Sequence, residues 1–160
     1  MYQPCSAYRR TPAQRADQEL SWHRSDQAFF ASGACHVLAF AFQHTHPDAG
    51  FCTIALRKTG EKHASHVYVS NGTWAFDHDG WTLEVELLEV TAAAEPDAAW
   101  ERLIITSDLD TFCVQHHHLP PHLYARSPWQ RAYGYLARFG PAPAASAVSD
   151  PPAQPAAPAS

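Results

Sequence analysis

The chain predicts an α+β fold: a buried N-terminal helix packed on a small antiparallel sheet. Three observations predict it. The stretch ACHVLAFAFQH, ending at His44, is apolar nearly all round, as a helix in the middle of a domain is. The pair Asn71-Gly72 separates two β-rich runs, HVYVS and TWAFD, the strongest short-range hairpin signal. Helical material comes first, strands follow and helical material closes the chain, which is α+β order rather than alternating βαβ.

Each element has its own signal. Residues 1–15 are polar and carry Pro4 and Pro12, so a flexible arm is expected. Ala16 to Ser21 reads as a short helix, and Asp26 to Ala31 as another turn. Ser32 is the expected N-cap of a helix from Gly33 to His44. Pro47 to Gly50 reads as a turn. FCTIALR, residues 51–57, is a short apolar strand. TLEVELLEV, residues 82–90, begins with period-2 alternation and is read as a strand, with Glu84, Glu86 and Glu89 on its solvated face. Residues 98–106 fit helix or strand equally. Residues 108–117 and 129–139 read as helices, the second despite Gly134. Residues 16–140 then form one domain. Residues 141–160, mostly Pro and Ala, cannot bury enough apolar surface to offset their ordering entropy, so a disordered tail is expected.

Composition narrows the function classes. The length of 160 residues leaves room for one domain, and 46% apolar residues supply a core without staples. The net charge is -5, and the 11 Lys and Arg are scattered, which disfavours nucleic acid. Cysteines stand at 5, 35, 52 and 113 with no CxxC pair, so neither a zinc knuckle nor a disulfide framework is indicated. Residues 1–18 lack an apolar leader core, and the longest apolar run, Val37 to Phe42, is too short to span a membrane. A soluble, cytoplasmic protein with reduced thiols, no cofactor and no membrane partner is expected.

The hairpin carries the candidate chemistry. With Asn71 and Gly72 as a two-residue turn, Ser70 faces Thr73 and, counting back, His66 faces Asp77. Directly opposed residues share a face with Cβ atoms roughly 4.5–5.5 Å apart, within reach of an imidazole–carboxylate hydrogen bond. In that register Asp79 is only diagonal to His66, and His63 and His78 fall on the other face. Trp74 and Phe76 point away from His66, toward a helix. Cys35 lies just inside the predicted helix, where free N–H groups and partial positive charge favour a thiolate. Cys52 and Cys113 sit in apolar patterns and read as structural.

A Cys opening a buried helix (SGACHVLAF), a His opening a strand and an Asp on the next strand (SHVYVSNGTWAFDHDG) together resemble the papain-like superfamily. The transglutaminase-like branch, with its order Cys, His, Asp, is the most similar. The resemblance spans residues 32–80 and implies thiol chemistry on an amide. Cys35 would be the nucleophile, His66 the base and Asp77 its orienting group. Gln27, eight residues upstream of the Cys, would complete the oxyanion hole. The substrate would be a peptide, a protein or a small amide, and the acyl group would pass to water or to an amine. His36 stands where that branch often has an aromatic residue, and neighbouring helix residues do not face each other, so it is not cast as the base.

Two other readings stay open. One is a catalytically inactive papain-like domain that binds a partner. The other is a His-rich metal-binding protein using residues 116–122. For the latter, Pro120 and Pro121 break any helix between His118 and His122, and no ordered spacing converges three ligands, so no metal site is expected.

Overall fold

The computed structural model describes residues 1–144. The tail expected at 141–160 therefore falls largely outside the described residues. Helices α1 (Pro12–Ala16), α2 (Gln18–Trp22), α3 (Asp26–Ala31) and α4 (Cys35–Thr45) precede strands β1 (Cys52–Lys58), β2 (Ala64–Ser70), β3 (Trp74–Asp77) and β4 (Gly80–Leu83). Then come α5 (Glu84–Ala94), β5 (Trp100–Ile105), α6 (Leu109–His116) and α7 (Pro128–Leu136). The five strands form one antiparallel sheet in the order β4-β3-β2-β1-β5. The α+β expectation holds. Among the described residues no helix is long and apolar enough to cross a membrane.

Both sheet faces are covered, so β1 and β2 are buried at consecutive positions instead of alternately. Ala55, Val67, Val69 and Phe76 meet α4 and α7 on one face. Ile54, Leu56, Tyr68 and Ala75 meet Leu87 of α5 and Tyr2 on the other. This alternation, period 2 along each strand, decides which side chains can approach which helix.

Three sequence expectations are corrected. Residues 1–15 are packed rather than loose: Tyr2 is buried, residues 5–8 form a 3-10 turn, and α1 opens with a Thr11/Gln14 capping box. The strand expected over 82–90 ends at Leu83. From Glu84 the buried positions are 84, 87 and 91, which is helical spacing, and two glutamates in the first turn complement the helix dipole. Glu84 is accordingly buried, accepting from Tyr68 Oη at 2.9 Å and Arg102 Nε at 2.8 Å, instead of lying on a solvated strand face. Finally, Ser32 closes α3 instead of capping α4, whose N-cap is Ala34, with Gly33 at φ 122° between them.

Gly80 fixes the bend that ends β3. Its φ is 85°, and a Cβ there would lie 2.5 Å from Phe139 Cε1. Gly72, at φ 89°, has open space around it. Gly80→Ala should therefore cost about 2–4 kcal/mol, left-handed strain plus overlap, and Gly72→Ala only about 1–2 kcal/mol. Urea denaturation of the two variants checks this; equal midpoints would contradict it.

Candidate active site

The hairpin register differs from the one expected. Val69 pairs with Phe76 and Ser70 with Ala75, so four residues, not two, lie between the last paired positions. The cause is local. Asn71 Oδ1 accepts the amides of Thr73 and Trp74 at 3.0 and 2.8 Å, and Ser70 Oγ accepts that of Gly72 at 2.9 Å. These side chains take amides that a two-residue turn would leave to the ladder. Continued, this register puts Asp77 across from Tyr68 and one diagonal step from His66. A shift of two residues preserves facing, so the pair still meets: His66 Nε2 lies 2.7 Å from Asp77 Oδ2, with both side chains 1% exposed.

Asp77 is the hub of this cluster. Besides His66, the Tyr2 hydroxyl donates to Oδ2 at 2.7 Å, and the Asp79 amide to Oδ1 at 2.9 Å. His78 Nδ1 stands 3.2 Å from Oδ2, out of line for a hydrogen bond, while its Nε2 donates to the Gln3 carbonyl at 3.0 Å. Burial alone would raise the Asp77 pKa. The charge of His78 and the hydrogen bond from His66 outweigh it and hold the carboxyl far below the usual range. Burial likewise pulls His78 down, but Asp77 carries it above the ordinary imidazole value. An ionised carboxylate only accepts, so it fixes the His66 proton on Nε2 and leaves Nδ1 with its lone pair. That nitrogen is buried and has no partner. Burial keeps His66 below the ordinary imidazole pKa despite Asp77, so the ring rests neutral.

Cys35 is the first residue of α4 and only 5% exposed. Its sulfur faces the amide of Val67, the residue after His66. β3 ends at Asp77, so this part of β2 has no β3 partner. The expected thiolate is not the resting form. Burial pushes the thiol up to about 11, outweighing the Val67, His36 and Cys35 amides that favour the anion. The thiol makes no hydrogen bond to His66, whose free nitrogen stays unpaired. Gln27 sits on α3, and its amide nitrogen donates to Asp79 Oδ1 at 2.7 Å, so it is tied to the hub residue's neighbour. Cys113 is buried as expected, whereas Cys52 is exposed.

No protein-family model, curated protein or solved structure matches this chain. The site's geometry therefore stands on its own residues. A cleft of about 190 Å³ lined by Cys5, Ser32, His63 and Ser65 does not reach Cys35, His66 or Asp77. A larger cleft of about 680 Å³, lined by residues 108–110 and 121–129, touches none of Cys35, His66 or Asp77.

Four residues escaped the sequence reading. Tyr2 was assigned to a loose arm. His78 was placed on the far face by strand alternation, which fails at the tight Asp77–Gly80 turn. His36 and His118 form a second grouping: the Cys35 sulfur and one ring nitrogen of each lie within 4.8 Å of one another. His66, Asp77 and His78 also group within that distance, but there the hydrogen bonds just described account for the convergence. Adjacent residues at a helix start can converge after all, and nothing in the spacing 35–36–118 announces the third member.

Proposed function

We propose that the chain is a thiol hydrolase or acyltransferase of papain-like type acting on an amide bond. The observation that supports it most is the buried Asp77–His66 hydrogen bond, which fixes the His66 tautomer and leaves Nδ1 without a partner. In the proposed reaction Cys35 sulfur, on the α4 face, attacks the carbonyl carbon as His66 Nδ1, on the Tyr68 face, takes the thiol proton around the edge of β2 that β3 leaves free. The amides of Cys35 and His36, unpaired at the helix start, receive the developing oxyanion. The leaving amine takes the proton from Nδ1, and a thioester remains. Water, deprotonated by the same nitrogen, or an acceptor amine then releases the acyl group.

The inactive, partner-binding reading has its own support: a thiol 5% exposed with a pKa pushed up to about 11 is poorly suited to attack at neutral pH. One experiment separates the two. The exposed Cys52 is first changed to serine to remove background. The protein is then exposed to p-nitrophenyl acetate at pH 7, and the acylated peptide is mapped by mass spectrometry. One acetyl group on Cys35, absent in Cys35→Ser, is expected. Acetylation confined to other residues supports the binding module instead.

A further inference from the structure

We propose that Cys35, His36 and His118 form a zinc(II) site. The three ligand atoms already converge within 4.8 Å of one another. Ligands around tetrahedral zinc stand roughly 3.3–3.6 Å apart, so closure of little more than about 1 Å would seat the ion. The chemistry of the set fits. One thiolate and two imidazoles are the donors zinc prefers, and the absence of a carboxylate among them disfavours magnesium or calcium.

Both histidines are held as metal ligands are. His36 is fully buried; its Nε2 donates to the Leu119 carbonyl at 2.9 Å, and its Nδ1 is buried with no partner. A buried lone pair without a donor is costly, and a cation would satisfy it. His118 Nδ1 donates to the His116 carbonyl at 2.9 Å, which leaves Nε2 for the ion. Its ring stacks on His63 with centroids 4.9 Å apart and meets His36 edge-on at 4.7 Å. A second ring nitrogen fixed on a backbone carbonyl sets the tautomer of the ligating one, the usual outer arrangement of zinc histidines. His117, at φ 55°, turns the chain sharply after α6 and returns His118 to the start of α4. Cys35 would bind as thiolate, its proton leaving to solvent, and the fourth position would remain for water.

This site goes beyond the proposed reaction and does not rest on it; where both hold, zinc takes the sulfur lone pair that would attack the substrate. The test is titration of the reduced, metal-stripped full chain with cobalt(II). One equivalent should give thiolate-to-cobalt charge-transfer absorption that zinc(II) displaces. Cys35→Ser should abolish the band, His118→Gln should weaken binding at least about tenfold, and His122→Ala should leave it unchanged. His66→Gln, which removes the base of the proposed reaction, should keep the cobalt spectrum. Failure of acylation with an intact cobalt band thus counts against the enzyme reading alone. Absence of the band, its persistence in Cys35→Ser, or unchanged binding in His118→Gln overturns the zinc site.

Discussion

Replacing Asp77 with alanine is expected to destabilise the fold by about 3–5 kcal/mol, the cost of stripping the partner from buried charged and polar groups. The side chain serves three donors directly: the Tyr2 hydroxyl, His66 Nε2 and the Asp79 amide. It also neutralises His78 across 3.2 Å. Without it, the His66 imidazole and the Tyr2 phenol lie buried with no acceptor, His78 loses its counter-charge, and the N-terminal segment loses one of its anchors. The pH dependence has a definite sign. The folded-state pKa of Asp77 is depressed, so its contribution is fully present above the ordinary carboxylate pKa of about 4 and is lost as pH falls below that. His78 runs the other way: its raised pKa contributes below about 6.5 and fades as pH rises through the folded value. The pair is therefore strongest between about pH 4 and 6.5. Urea denaturation from pH 3 to 8 checks both statements. Asp77→Asn should remove the acid limb below pH 4, and a limb that survives would show that other carboxylates carry it.

Much of this cluster was legible because face, not register, decides whether two strand residues can meet. The Asn71-Gly72 signal located the loop correctly, but the side chains of Asn71 and Ser70 lengthened it to four residues. The error was even-numbered, so His66 and Asp77 kept a common face. Had Asn71 absorbed one residue more, the pair would have been separated by the sheet. The buried α4 was legible from its apolar circumference, whereas its start was not: Gly33 with positive φ breaks the chain where a serine cap had been read. The strand-to-helix change at Glu84 was hidden because TLEVELLEV satisfies both periods, and only the tertiary cover on Leu87 and Thr91 selects one. Tyr2 was invisible for a different reason. Polarity identified an arm, yet its hold on the domain comes from one hydroxyl and from backbone groups of Gln3, which any sequence carries. His118 was hidden by Pro120 and Pro121, which forbid a helix but not a return.

The second large effect expected is on the thiol. In the Cys52→Ser background, His66→Gln should slow acetylation of Cys35 by about 10²–10⁴-fold, the usual worth of a positioned base. Glutamine is the informative replacement, because its amide can keep donating to Asp77 while offering no basic nitrogen; an alanine there would also open a cavity between Tyr68 and His78. The resting state sets the shape of the profile. Cys35 is pushed up to about 11 and His66 is held below the ordinary imidazole value, so the pair rests as thiol and neutral imidazole, not as thiolate and imidazolium. Proton transfer must then accompany attack. The acylation rate should fall only below about pH 6.5, where the folded-state His66 gains its proton, and should stay level from there into the alkaline range. Alkylation by iodoacetamide at pH 6, which reports preformed thiolate, should be no faster than for a free thiol. Fast alkylation at pH 6 would replace this order of events with a standing ion pair. Equal acylation in wild type and His66→Gln would remove His66 from the reaction and leave Asp77, with its three donors, as a purely structural hub.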